Sequence, residues 1–179
     1  MRVLFSFLIF IFLANNVQGQ ERRNIIWFTE KSPTSNFGFE KGQTVPNLSI
    51  KDVYKKRFQL HDNLSKLTII DFRSINCKDC VKSNNYLKKF YEKYPINIIS
   101  IYDDQRSVLI KDYSKKNQLI WTNVQDNAPP RELLKKQIGL NDANPDYIII
   151  GPDKKVLRVF QGGKEIGKLG AFLQTHFAE

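Results

Sequence analysis

The order of apolar runs and helical stripes predicts an α/β chain with a mixed central sheet flanked by helices, parallel βαβ units first and an antiparallel edge after. Three observations carry this. Residues 67–72 and 96–102 are nearly continuous apolar runs of strand length, as in strands buried on both faces. Between them, Tyr86, Leu87, Phe90, Tyr91 and Tyr94 recur at helical spacing until Pro95 stops the helix. Later, Ile148-Ile149-Ile150, the turn Gly151-Pro152-Asp153 and residues 156–160 read as a β-hairpin.

The first 19 residues read as an export signal rather than as part of the fold. Met1-Arg2 gives a positive start, residues 3–14 are nearly all apolar, and Val17-Gln18-Gly19 offers a small-residue cleavage pattern before Glu21-Arg22-Arg23. The apolar core is short for a membrane span of roughly 20 residues and suits a secretory signal peptide. Cleavage is expected near Gly19 or Gln20, leaving a periplasmic or otherwise extracytoplasmic protein. An uncleaved segment would instead tether the domain to the outer face of the membrane. No cysteine lies near the cleavage site, so lipid attachment is not expected there.

Residues 20–41 form a lead-in with no clear period and a turn-rich cluster at Ser32-Pro33-Thr34-Ser35-Asn36. The domain proper is read as 42–179. It opens with two short strands, Val45 to Ile50 and Arg57 to Leu60, around a polar turn, an N-terminal hairpin extension. The strand at 67–72 follows, interrupted by Asp71, and a helix starts between Cys77 and Asp79. After the strand at 96–102, a helix is predicted over 106–117, a short third strand at Leu119-Ile120-Trp121 and a short helix over 131–138. Gly162-Gly163 breaks the final hairpin. A closing helix over 165–177 carries Ile166, Leu169, Phe172, Leu173 and Phe177 on one face. A chain of 179 residues is enough for one such domain with a proper core.

Removing Arg2 with the signal leaves 27 of the 28 Lys+Arg against 18 Asp+Glu, a balance of about +9. The lysines are scattered as short pairs, such as Lys88-Lys89 and Lys135-Lys136, with no aromatic-interleaved stripe of the kind a nucleic-acid groove needs. The charge is therefore read as a solvated surface favouring acidic partners or a membrane face, with no nucleic acid.

Both cysteines lie in Cys77-Lys78-Asp79-Cys80, where the buried strand gives way to the helix. The first turn of a helix leaves N–H groups unpaired and carries partial positive charge. A Cys77 thiolate there is stabilised and nucleophilic. Helical geometry turns Cys80 back toward the same end, within reach of a mixed disulfide on Cys77.

The stretch Ile70-Asp71-Phe72-Arg73-Ser74-Ile75-Asn76-Cys77-Lys78-Asp79-Cys80 resembles the active-site strand and helix of the thioredoxin superfamily, most closely its secreted bacterial TlpA/ResA-like thiol–disulfide oxidoreductases. Gly42 with Val45-Pro46-Asn47-Leu48 resembles that branch's opening, and Asn144-Pro145-Asp146-Tyr147 resembles the loop whose cis-proline faces the cysteines. The resemblance covers about residues 42–177. It implies a thioredoxin-like fold, Cys77 as attacking and Cys80 as resolving cysteine, and Pro145 as the cis-proline. It also implies Asp71 as a buried acid accepting the Cys80 proton. Protein thiols and disulfides would be the substrates of a monomer that needs no cofactor, with a membrane-bound electron donor if the chain works as a reductant. The sequence departs from the family where Asn76 stands for the usual Trp before the first cysteine, Arg73 for another aromatic, and Lys78-Asp79 for a Gly-Pro or Pro-Pro pair.

Three alternatives stay open. A copper- or zinc-binding domain would use the two thiolates with a histidine, but His61 and His176 stand at no ligand spacing. A peroxiredoxin-like peroxidase is suggested by Ser74 three residues before Cys77, although Ile70 stands where such enzymes carry a proline. A scaffold with a merely structural disulfide is disfavoured, because so small a ring constrains the unfolded chain little.

Overall fold

β-branched residues concentrate where the chain is most deeply buried, and these runs form the middle of the sheet. The computed structural model describes residues 36–104, 106–125 and 145–178. In chain order the elements are β1 (Ser49–Lys51), β2 (Arg57–Gln59), β3 (Leu67–Arg73), α1 (Lys78–Lys93), β4 (Ile96–Tyr102), α2 (Ser107–Lys116), β5 (Thr122–Gln125), β6 (Asp146–Ile150), β7 (Val156–Gln161) and α3 (Ile166–His176). The expected signal, most of the lead-in and the expected helix over 131–138 lie outside the described residues.

The main sheet runs β5-β4-β3-β6-β7. β3 pairs in parallel with β4, and β4 with β5, while β6 runs antiparallel to β3 and to β7. This is the thioredoxin-like α/β architecture with a mixed five-stranded sheet. The antiparallel pair β1–β2 adds the N-terminal hairpin. Beyond it, Asp52 bridges Val124 and the Val53 N–H donates to the Asn123 carbonyl, so the extension covers part of the β5 edge.

Every residue of β3 is buried, and its side chains alternate between two cores. Ile70 and Phe72 join Ile99, Ile101, Ile148 and Ile150 under the N-terminal segment, with Val45, Leu48 and Leu60. Leu67 and Ile69 join Ile98, Tyr147 and Ile149 beneath α1 and α3, where Leu87, Leu169 and Leu173 close the layer. Asp71 and Arg73 follow Ile69 in the same alternation. They therefore point to the helix-covered face.

The third strand differs from its sequence expectation. Leu119 and Trp121 are buried but Ile120 is 77% exposed, and the strand that pairs with β4 starts at Thr122. An edge strand needs little apolar sequence, so Thr122-Asn123-Val124-Gln125 carried no hydrophobic run to betray it. Asn123 ties the two segments: its amide donates to the Leu119 and Trp121 carbonyls, and its Oδ1 accepts the Tyr102 hydroxyl proton at 3.0 Å.

Candidate active site

Parallel pairing of β3 with β4 sends the chain out at the end of β3 and straight into α1, so the cysteine motif sits at the sheet's C-terminal edge. Cys77 is the N-cap of α1, in extended conformation, and its Sγ accepts the Cys80 N–H at 3.0 Å. The two sulfurs are bonded, with Cα atoms 5.2 Å apart. Their environments differ: Cys77 is half-buried, whereas Cys80 is fully enclosed. Asn76, Lys78 and Asp79 are exposed beside Cys77, so a polar surface stands where the family usually carries Trp.

The approach loop is pinned from β4. The Asp103 N–H donates to the Arg73 carbonyl, and Asp104 Oδ2 accepts the Ile75 N–H at 2.9 Å. Partial burial raises the Asp104 carboxyl above its usual value, against the pull of that N–H. Ser74 Oγ accepts the Asn76 N–H and its carbonyl accepts the Cys77 N–H, so Ser74 serves the turn into the helix.

Pro145 is buried one residue before β6, and Asp146 pairs with Phe72, so Pro145 lies at the same end of the sheet as the cysteines. The Gly162 N–H donates to the Pro145 carbonyl at 2.9 Å and to Asp146 Oδ1 at 3.0 Å. Gly162 has φ +89°, a conformation glycine adopts without strain. Its neighbour Gly163 approaches the motif so closely that an added Cβ would lie 2.4 Å from Asp79 Cβ. The proline segment, the glycine pair and the residue between the cysteines thus form one packed surface.

Asp71 is not a lone buried acid. Its Oδ2 contacts Arg73 Nε in an ion pair closed to solvent at both side chains and accepts the Ser100 hydroxyl at 2.7 Å. The Trp121 indole N–H in turn donates to Ser100 Oγ at 2.8 Å. Arg73 reaches the active-site helix, donating to Asn84 Oδ1 and, at 3.4 Å, to Ser83 Oγ. The Ser83 hydroxyl donates to the Cys80 carbonyl at 2.9 Å. Burial pushes the Asp71 carboxyl up, against the pull of Arg73 and Ser100. Burial also works against the Arg73 charge, yet Asp71 and the surrounding tyrosines hold the guanidinium's pKa above its ordinary value.

Ser83, Asn84, Ser100, Tyr102 and Tyr147 were not singled out by the sequence. A signal existed: Cys80, Ser83, Asn84 and Leu87 stand at i, i+3, i+4 and i+7, so two polar side chains occupy the inward stripe of α1. His61 Nε2 donates to the Val45 carbonyl, and His176 stacks on Phe172. No cluster of three His, Cys, Asp or Glu side chains able to hold a metal occurs among the described residues.

The ResA thiol–disulfide oxidoreductase of Bacillus cereus is 26% identical over 138 residues, covering 74% of this chain and 76% of its own. That of Bacillus anthracis is 25% identical over a span of the same length. The thioredoxin domain of a thiol–disulfide oxidoreductase from Bacteroides vulgatus superposes with TM-score 0.62 at 19% identity, over 76% of this chain and 99% of that one. A secreted disulfide oxidoreductase of Mycobacterium tuberculosis superposes with TM-score 0.58 at 13% identity, over 71% and 94%. The thioredoxin-like family model matches residues 64–156, more than half of the chain, a span that holds both cysteines, Asp71 and Pro145. This chain belongs to the thioredoxin-like family.

Proposed function

We propose that this chain is a thiol–disulfide oxidoreductase that reduces protein disulfides outside the cytoplasm. The observation that carries the reading is the inequality of two bonded sulfurs at one helix start, Cys77 half-open to solvent and Cys80 enclosed. An accessible thiolate facing unpaired helix N–H groups is a nucleophile; a sheltered thiol one turn on can only attack what is already attached to the first.

In the reduced protein, the Cys77 thiolate attacks a substrate disulfide and one substrate sulfur leaves as thiolate. Cys80 then loses its proton to Asp71 and attacks the Cys77 sulfur. The second substrate thiolate leaves, Cys77–Cys80 forms, and the substrate has gained two electrons. The same steps reversed make an oxidant. Pro145 contributes a backbone that cannot donate a hydrogen bond of its own at its nitrogen and is held by Gly162. The polar surface of Asn76, Lys78 and Asp79 favours substrates with polar segments around the target disulfide.

Export is supported by the charged start, apolar run and small-residue pattern of residues 1–19, with 20–41 as lead-in and 42–179 as the domain. The similarity to a protein described as secreted agrees with it. No helix among the described residues is long and apolar enough to cross a membrane. A reductant in an oxidising compartment must be recharged, so the reading includes a membrane-bound electron donor.

Reduction potential tests the direction. Equilibration in graded glutathione buffers, with thiol trapping, is expected to give a value near or below about −250 mV. A value of about −120 to −180 mV would reverse the direction to oxidase or isomerase. The absence of any reversible Cys77–Cys80 couple would remove the enzyme reading altogether.

A further inference from the structure

Arg73 is a fully buried cation on the central strand of the sheet, at a position with no contact to solvent. Its Nε faces Asp71, one terminal nitrogen faces Asn84 and the other faces Ser83, so its three nitrogens join β3 to the inward stripe of α1. Ser83 passes the link to the Cys80 carbonyl, and Asn84 passes it to the Tyr113 hydroxyl on α2. We propose that Arg73 is a positioning residue of the exchange reaction, holding Asp71 as a ready anion and locking that anion to the turn of helix that carries Cys80. This rests on the reading of Asp71 as proton acceptor given above.

The argument is electrostatic. Arginine stays protonated in proteins, so neutralising Asp71 would leave a lone positive charge in a medium where an unpaired ion costs far more than in water. Two side chains therefore oppose the tendency of burial to protonate the acid: Arg73 by charge and Ser100 by its hydroxyl. The groups around the pair do not replace Arg73. From β4 comes Tyr102, whose ring lies 5.9 Å from the guanidinium; α2 adds Tyr113 and β6 adds Tyr147, with Asp146 at its start. These are phenols and one further carboxylate. Arg73 is thus the one cation in this cluster among the described residues. In the release step the Cys80 S–H bond breaks, its proton joins the Asp71 carboxylate, the Cys77–Cys80 bond forms and the substrate thiolate leaves. The acid then returns its proton to solvent.

The test begins with the unaltered full-length protein, labelled with 13C at aspartate carboxyls. The Asp71 resonance is expected to keep a carboxylate shift from about pH 8 down to about pH 6 in both redox states. Titration of that carboxyl within this window would overturn the proposal. In Arg73→Met, release from a trapped mixed disulfide should slow by about 10²-fold at neutral pH and recover as pH rises. Arg73→Lys should restore most of the neutral rate. An unchanged pH profile in a folded Arg73→Met would also overturn it. If that variant does not fold, the carboxyl titration decides alone. An unaltered protein that exchanges with no disulfide at all would defeat the functional reading instead, and the titration would still decide whether Asp71 is held as an anion.

Discussion

Asp71 and Arg73 stand two residues apart on β3, point to the same face of the sheet, and form an ion pair from which solvent is excluded. Period two along a strand puts such neighbours on one face. Removing one member strands the other. Arg73→Met or Asp71→Asn alone is expected to lower stability by about 3–5 kcal/mol. The double variant, which removes both charges of the pair, should lose much less. Urea unfolding of the four proteins measures the coupling; equal losses in single and double variants would contradict it.

The unequal exposure of the two sulfurs predicts an order of modification. Limiting iodoacetamide on the reduced protein should label Cys77 well before Cys80, read by peptide mapping. Cys80→Ser should accumulate a mixed disulfide with substrate, while Cys77→Ser should reduce exchange to the uncatalysed background. Preferential labelling of Cys80 would invert the assigned roles.

Gly163 predicts a packing defect at a distance from the sulfurs in sequence. A Cβ there would meet Asp79 Cβ at 2.4 Å, and helix α1 begins beside it. Gly163→Ala should therefore cost about 1–3 kcal/mol. Gly167 in α3 has nothing within 4 Å of an added Cβ, so Gly167→Ala should instead stabilise, by up to about 1 kcal/mol. Thermal or urea unfolding of the two variants separates a local clash from a general effect of removing glycine.

Burial drives both the Tyr102 and the Tyr147 phenol well above the ordinary value of 10.0. The folded protein therefore retains these protons at a pH where the unfolded chain has released them. Stability should fall as pH rises beyond about 10, by up to about 1.4 kcal/mol per pH unit for each phenol. Below that pH both states are protonated and the two tyrosines contribute no slope. Tyr147→Phe should remove about half of the alkaline loss, measured by urea midpoints across the alkaline range.

Much of this molecule was legible in one dimension. The runs at residues 67–72 and 96–102 announced buried strands, because strands covered on both faces are mostly apolar. Pro95 and the aromatic stripe bounded α1, and the Cys-Lys-Asp-Cys spacing placed two sulfurs at one helix start. β5 was displaced from its expectation because an edge strand is held by backbone pairing, which side-chain composition does not report.

What the sequence by itself determined was the class of fold, the order of its described elements and the presence of a dithiol between a strand and a helix. These follow from local periodicity and from the fixed geometry of a helix N-terminus. Only the tertiary structure decided the fate of Arg73, which in the sequence was a charge standing where the family usually carries an aromatic. It is buried because β3, β4 and α1 each present polar atoms to one small volume: Asp71, Ser100, Ser83 and Asn84. A buried cation is tolerated only where such partners converge, and their convergence is a property of packing between elements distant in the chain.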